Sequence, residues 1–505
     1  MHSKLIKYST FFLLLFIALT LINIAGNIFF SMFSANVHQV EVITSSDASM
    51  SSIGYAPLPI LMLIFIASFA FIVFSAYFFS RILKQTKHTE KLIFPILIIN
   101  LAVGIITILS FSIPIPAFSD YNTYLSFANS LINGQNAFQD YASLFPHVYG
   151  YSSFLSVLFW LFGNSAVVFE MANVVLSVII CLLTYLVAKE IFNTSAALWA
   201  SLIISLFPSH ILHNTLPATE PLHAALMLFV ILTALKAKSC TLYALTGILT
   251  ALMNAVRPTG YVLLAAIIIY ILSEPSVHKL KKTACFCTLI IVYFLSCIVI
   301  NAHISQVINK PVAASPTGYT LYIGANADSG GTWTEEATKK RDELYIKNEK
   351  NAQKTHNELF KLALNRFYSN GIRNIRLLVD KNKNMWCVDA DIASFIGMSF
   401  KIDPGSAKKP DVSVLLSFCD AFYFILLFLF GTGLFLCIKK NAMPTKALLL
   451  LMIILGDIGM YTFVEVIGRY HYEAVLVIII LTSSCIRRLD TAKNQTLPDL
   501  ESILI

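Results

Sequence analysis

Asp120 closes an apolar run, FPILIINLAVGIITILSFSIPIPAFSD, and a stretch without Lys or Arg, 114–164, surrounds it. A carboxylate just beyond a hydrophobic span can accept a proton from a hydroxyl presented at the membrane surface. Arg469, in Gly468-Arg469-Tyr470, and Arg257, before Pro258, are isolated cations at the ends of apolar runs. An arginine there can hold an anion or snorkel as an interfacial anchor. Glu220 opens another apolar run, where it can orient a substrate, pair with an arginine or simply start a helix. Glu465 precedes Arg469 by four residues, which predicts an ion pair if that stretch is helical. His210 and His213, with Glu220, His223 and His147, supply the side chains of a zinc site. Their spacing matches no closed metal signature, and hydrogen-bonded histidines explain it as well. No cofactor is expected.

The elements that position these residues follow from composition. The 505 residues are 57% hydrophobic and 13% charged, with a mean hydropathy of +0.73, which excludes a soluble globular protein. A bilayer crossing takes about 20 apolar residues as helix, and helices satisfy their own backbone where there is no water. The expectation is an all-α polytopic membrane protein. Twelve spans are placed near 11–33, 58–80, 92–113, 165–188, 195–209, 220–235, 241–256, 259–273, 283–301, 413–437, 445–464 and 471–486. One set of connections carries Lys4, Lys7, Arg81, Lys84, Lys87, Lys91, Lys189, Lys236, Lys238, Lys279, Lys281, Lys282, Lys439, Lys440, Lys446, Arg487, Arg488 and Lys493. The other set, 34–57, 114–164 and 210–219, carries no Lys or Arg. The positive-inside rule then places both termini in the cytoplasm and Asp120 outside. The apolar segment 150–163 is too short to span and reads as a helix on the outer leaflet. The first apolar run is long for a cleaved signal and reads as a retained span.

Two outer segments are large enough to carry function. In the first, Pro114 and Pro116 end a helix, Ser119 is a candidate N-cap and Asp120 enters the first turn. Tyr121, Tyr124, Leu125, Ala128, Leu131 and Ile132 then repeat at helical spacing up to Asn133-Gly134. A helix dipole favours a carboxylate at this end. The second, 302–412, holds sixteen Lys and Arg. Thr334 can cap a helix that starts with Glu335 and Glu336, and another ends at Asn370-Gly371. A shorter helix shows Ile372, Ile375, Leu378 and Val379 on one face and leads to Trp386, an aromatic suited to the interface. This segment reads as a cap of surface helices without its own core. The expected organisation is two extra spans in 1–91, a catalytic membrane core in 92–301, the cap in 302–412 and the last spans and a short tail in 413–505. Of nine cysteines, only Cys387 falls clearly outside, so no disulfide framework is implied.

The order of these pieces resembles a known family. Asp120-Tyr121, then FPHVYGYSSFLSVLFWLFGNSAVVFEMANVVLS, SLFPSHILHNTLPATEPLHAALM, NAVRPTG, LYIGANADSGGTW and EVIGRYHYE are similar to the C-type (GT-C) integral-membrane glycosyltransferases. Within them the chain is most similar to the branch of protein O-mannosyltransferases and lipid A aminoarabinose transferases, over roughly 92–486. The resemblance implies transfer of one sugar from a polyprenyl-phosphate carrier to an acceptor on the outer face, with inversion. Asp120 matches the acidic residue proposed as general base in that family. Where a second acidic residue often follows, this chain has Tyr121, which weakens any metal-bridged or paired-carboxylate mechanism.

On that reading a polyprenyl phosphate leaves without a general acid, so one base and a phosphate-binding cation suffice. Arg469 is the first candidate cation, because a guanidinium grips phosphate with two prongs; Arg257 is the second, with Tyr470 beside Arg469. Tyr121, His147, Glu220 and Glu465 are expected to shape the acceptor side. Partners are the lipid-linked donor, membrane lipid and an acceptor protein, glycolipid or cell-wall polymer, with no nucleic acid. A transporter or flippase for lipid-linked glycans is the alternative, as is a wall-polymer ligase or polymerase. Apart from Asp457, charges gather at span ends, which favours the enzyme over a transporter.

Overall fold

The computed structural model describes residues 2–33, 55–81, 89–111, 113, 115, 119–135, 138–273, 279–402, 411–440 and 443–484. Pro114, Pro116, Lys84, Lys87, Arg487, Arg488, Lys493 and most of 34–57 lie outside the described residues. Within them the chain is helical throughout, with no strand. Seven helices are long and apolar enough to cross a membrane: Leu5–Gly26, Leu58–Ser80, Thr89–Phe111, Ala166–Ile191, Thr219–Lys236, Leu280–Val307 and Val412–Lys439. The chain is an all-α polytopic membrane protein. Five of the twelve expected spans are shorter or bent. Thr194–Ser205 and Pro208–Thr215 meet at 54°, where Pro208 interrupts the helix. Cys240–Val256, Gly260–Ser273 and Ala447–Phe463 hold only 17, 14 and 17 residues, and Tyr472–Thr482 holds 11.

The shortest of these helices lies in the interior of the bundle. Every residue of Tyr472–Thr482 is buried, as expected of a helix that is apolar all round. It packs among Thr194–Ser205, Val412–Lys440 and Ala447–Phe463. The two N-terminal helices lie on the C-terminal ones, with His2–Phe33 and Leu58–Arg81 both against Val412–Lys440. Outward side chains such as Phe74 and Leu109 stay exposed, a lipid-facing belt.

One end of the bundle is capped by short helices from both large loops. Ser119 holds extended backbone (φ −83°, ψ 154°) and its hydroxyl accepts from the Asn122 N–H at 3.2 Å, starting helix Asp120–Ile132. Thr334 does the same for Glu335–Lys347, accepting from the Ala337 N–H at 3.3 Å. Helix Ala352–Asn370 ends at Gly371, whose φ of +51° suits glycine. The cap shares a core with the first loop, in which Phe127, Phe145 and Val148 pack with Tyr319, Ile323 and Leu359. Asp140 clasps the two, accepting from Lys310, Tyr345 and Lys350. Helix Pro146–Phe162 approaches the end of Cys240–Val256 so closely that a Cβ on Gly150 would lie 2.1 Å from the Ala255 carbonyl oxygen. Trp386 is buried, stacked on His471 and edge-on to Phe16. It is a packing residue between the cap and the first helix.

Candidate active site

At the capped end, elements distant in sequence bring five charges into a row. Asp120 stands in the first turn of its helix, half exposed, and Arg469 Nη2 donates to Asp120 Oδ2 at 2.5 Å. Arg469 belongs to a 3-10 turn, Gly468–His471, on top of the buried helix Tyr472–Thr482. Its Nε, which has no hydrogen-bond partner among the described residues, lies 3.8 Å from Glu220 Oε1. Glu220 Oε1 also faces Arg257 Nη1 at 3.1 Å, and that nitrogen reaches Glu473 Oε1 at 3.2 Å. The sequence of charges is Asp120, Arg469, Glu220, Arg257, Glu473, alternating throughout. His223 extends it, with Nδ1 2.9 Å from Glu473 and Nε2 2.9 Å from the Thr259 hydroxyl.

Local sequence explains each placement. Pro258 forces the preceding Arg257 into extended backbone (φ −145°, ψ 136°), which ends the helix and leaves the cation at its negative pole. Glu220 sits in the first turn of Thr219–Lys236, at the positive pole. Both are buried, so each charge must be compensated by its neighbours. Arg257, offered above as a phosphate cation, already shares one nitrogen between two carboxylates and stacks on Tyr470, 5.1 Å from its ring centre. Asp120 and Arg469 form the open end of the row.

Aromatic walls surround that end. The Arg469 guanidinium lies 5.3 Å from the Tyr121 ring centre, and Tyr121 packs edge-on to Phe395 at 4.7 Å. Burial, and then Glu220 and Asp391, push the Tyr121 phenol up against the pull of Arg469, so it is a neutral hydroxyl beside the cation. His147, at the start of helix Pro146–Phe162, has an unpartnered Nδ1 among the described residues. Burial and the charge of Arg257 lower its pKa to about 4, which keeps the ring neutral.

Glu465 does not pair with Arg469 as its spacing predicted. The backbone from Val464 to Ile467 is not helical; the Glu465 N–H donates to the Thr320 carbonyl at 2.8 Å and that of Val466 to Gly331 at 3.0 Å. Burial and then Asp120 raise the Glu465 carboxyl to about 7, against Arg469 and Lys381. The other histidines are engaged elsewhere: His210 with Tyr472 and Ser177, His213 with the Ser209 carbonyl. Among the described residues no group of three or more His, Cys, Asp or Glu is arranged to hold a metal.

Three contributors escaped sequence reading. Glu473 lies one turn after Arg469, inside the EVIGRYHYE motif, and that spacing was the available signal. Lys381 is buried and its Nζ donates to the carbonyls of Thr462 at 3.2 Å and Val464 at 2.7 Å, holding the strand-like link to Arg469. Asp391 abuts Gly468, where a Cβ would come within 3.0 Å of its own, and nothing in the local sequence announces it.

Residues 147–302 match the family model described as dolichyl-phosphate-mannose-protein mannosyltransferase. That region is of the C-type glycosyltransferase kind. The mannosyltransferase-like region contains His147, Glu220, His223 and Arg257, and the resemblance to the protein O-mannosyltransferase branch is borne out there. Asp120 and Arg469 lie on either side of it in sequence. Among solved structures, the chain overlaps the archaeal oligosaccharyltransferase AglB from Archaeoglobus fulgidus, in complex with an inhibitory peptide and a dolichol-phosphate. The identity is 13% and the TM-score 0.43, over 83% of this chain and 52% of that one. An Archaeoglobus fulgidus oligosaccharyltransferase complex with zinc and sulfate overlaps with 13% identity and a TM-score of 0.39, over 79% and 49%. The chain thus spans about half the length of these structures. No curated protein matches it.

Proposed function

We propose that this mannosyltransferase-like protein moves a single sugar from a polyprenyl-phosphate donor to an acceptor hydroxyl on the outer face of the membrane, with inversion. The observation that carries this reading is the Asp120–Arg469 pair at the open end of an otherwise buried, fully paired row of charges. In the resting site Arg469 is held by Asp120. The donor's phosphodiester offers the guanidinium two oxygens in two-pronged geometry, it gains a second negative charge as the sugar leaves, and its arrival releases the carboxylate. The acceptor oxygen then attacks the anomeric carbon opposite the phosphate. The bond from that carbon to the phosphate oxygen breaks, its electron pair leaves with the polyprenyl phosphate, and the acceptor proton passes to Asp120. Arg469 stabilises the charge on the departing phosphate. Glu220 and Arg257 fix Arg469 in place, while neutral His147 and Tyr121 border the acceptor side. The family's description supports a protein hydroxyl as acceptor and a mannose-type donor.

In membranes supplied with labelled polyprenyl-phosphate sugar, Asp120→Asn should cut product by about a hundredfold to ten-thousandfold while insertion stays normal. Product at the level of the parent would overturn the assignment.

A further inference from the structure

Helix Arg373–Trp386 carries three distinct faces. Leu377, Lys381 and Met385, four residues apart, are buried against the protein. Ile375, Leu378 and Val379 are exposed on the neighbouring face, continuing from Ile372 just before the helix, which is 83% exposed, and from Tyr368, 91% exposed. Beyond them Arg376 and Lys383, seven residues apart and so on one line, are exposed. Such a division, protein on one side, apolar on the next and basic on the third, is that of a helix lying in a membrane surface.

The placement of the helix says what covers its apolar face. Asn382 and Trp386 share that face by helical spacing, and both touch the first span. Asn382 Nδ2 donates to Thr20 Oγ1 at 3.2 Å, and Asn23 Nδ2 donates to Asn382 Oδ1 at 3.2 Å. The Trp386 ring meets Phe16 at 5.2 Å. The apolar span runs Leu5–Gly26, so Asn23 lies about 5 Å from its end at 1.5 Å per residue. Leu19 and Ile22 on the same span are exposed. The bare face of helix Arg373–Trp386 is therefore continuous with the lipid-facing side of a membrane span, near the level where acyl chains give way to headgroups.

We propose that this helix docks on the leaflet at the capped end, with Ile372, Ile375, Leu378 and Val379 at the acyl-chain boundary and Arg376 and Lys383 against the phosphates of anionic phospholipids. The docking stands independently of the proposed transfer reaction. It has a consequence for the site, because Lys381 on the opposite face grips the carbonyls of Thr462 and Val464, a few residues before Arg469. A helix fixed at headgroup depth sets the depth of the guanidinium.

The test uses the full chain in lipid nanodiscs, with Leu378→Trp as a reporter over the four native tryptophans. The emission added by the variant should be lost with acyl-brominated phospholipid and spared by acrylamide. Loss to acrylamide with no effect of bromolipid would place the face in water and overturn the proposal. Protection from both quenchers would mean that a protein surface, such as a second copy, covers it, which overturns it equally. In the same reporter background, Arg376→Glu with Lys383→Glu should weaken bromolipid quenching in anionic discs and leave it unchanged in zwitterionic ones. An equal response in the two lipids would sink the anionic assignment.

Discussion

Glu465 sits between opposing influences, with burial and Asp120 favouring its neutral form and Arg469 and Lys381 favouring its charge. Burial prevails, and the carboxyl moves from its ordinary 4.5 to about 7. The folded chain then keeps a proton that the unfolded chain has already released. Its contribution to stability is complete below pH 4.5 and is lost as pH rises towards 7. Relative to Glu465→Gln, the parent should therefore lose thermal stability across that window in detergent; parallel curves would refute this. At this scale the sequence was legible where a charge stood alone: Asp120 and Arg469 drew attention as isolated groups at span ends, and they meet. Their supporting acids were harder to see. Glu473 joins Arg257 across 216 positions, and no periodicity encodes a pairing of that separation.

Helices close to one another at this end tolerate little added volume. Gly150 is the contact point between helix Pro146–Phe162 and the last residues of Cys240–Val256, one residue before Arg257. Gly150→Ala should cost about 1–3 kcal/mol, in line with overpacking elsewhere. It should also shift Arg257, so that both the melting temperature in detergent and sugar transfer fall. Unchanged melting would show that the helices part freely. The helix starts at Ser119 and Thr334 were readable, because a capping hydroxyl acts within three residues. The course of 464–467 was not. Helical spacing joined Glu465 to Arg469, but backbone bonds to Thr320 and Gly331 pull that stretch straight. The packing of Trp386 was not legible for a similar reason, since its partners Phe16 and His471 lie far off in the chain.

The bundle is wound so that its ends in sequence are neighbours in space, the first two helices resting on Val412–Lys440. The extra N-terminal spans are thereby part of the wall around the buried helix Tyr472–Thr482. Basic connections predicted a cytoplasmic location for both termini, and a fluorescent protein fused after Ile505 should glow, as it folds only on that side. A full-length but dark fusion would reverse the orientation. The seven long spans were legible because apolar length is a local quantity, whereas Tyr472–Thr482, buried at every residue, is enclosed by neighbours that its own sequence does not announce. Asp120 and Arg469 are 349 positions apart, with most of the bundle made between them. During synthesis the carboxylate enters the membrane early and waits for its arginine until the last helices are in place. In the proposed mechanism, a chain stalled or truncated before that point would hold the base but no grip for a phosphate, so competence for transfer would be acquired in one late step of assembly.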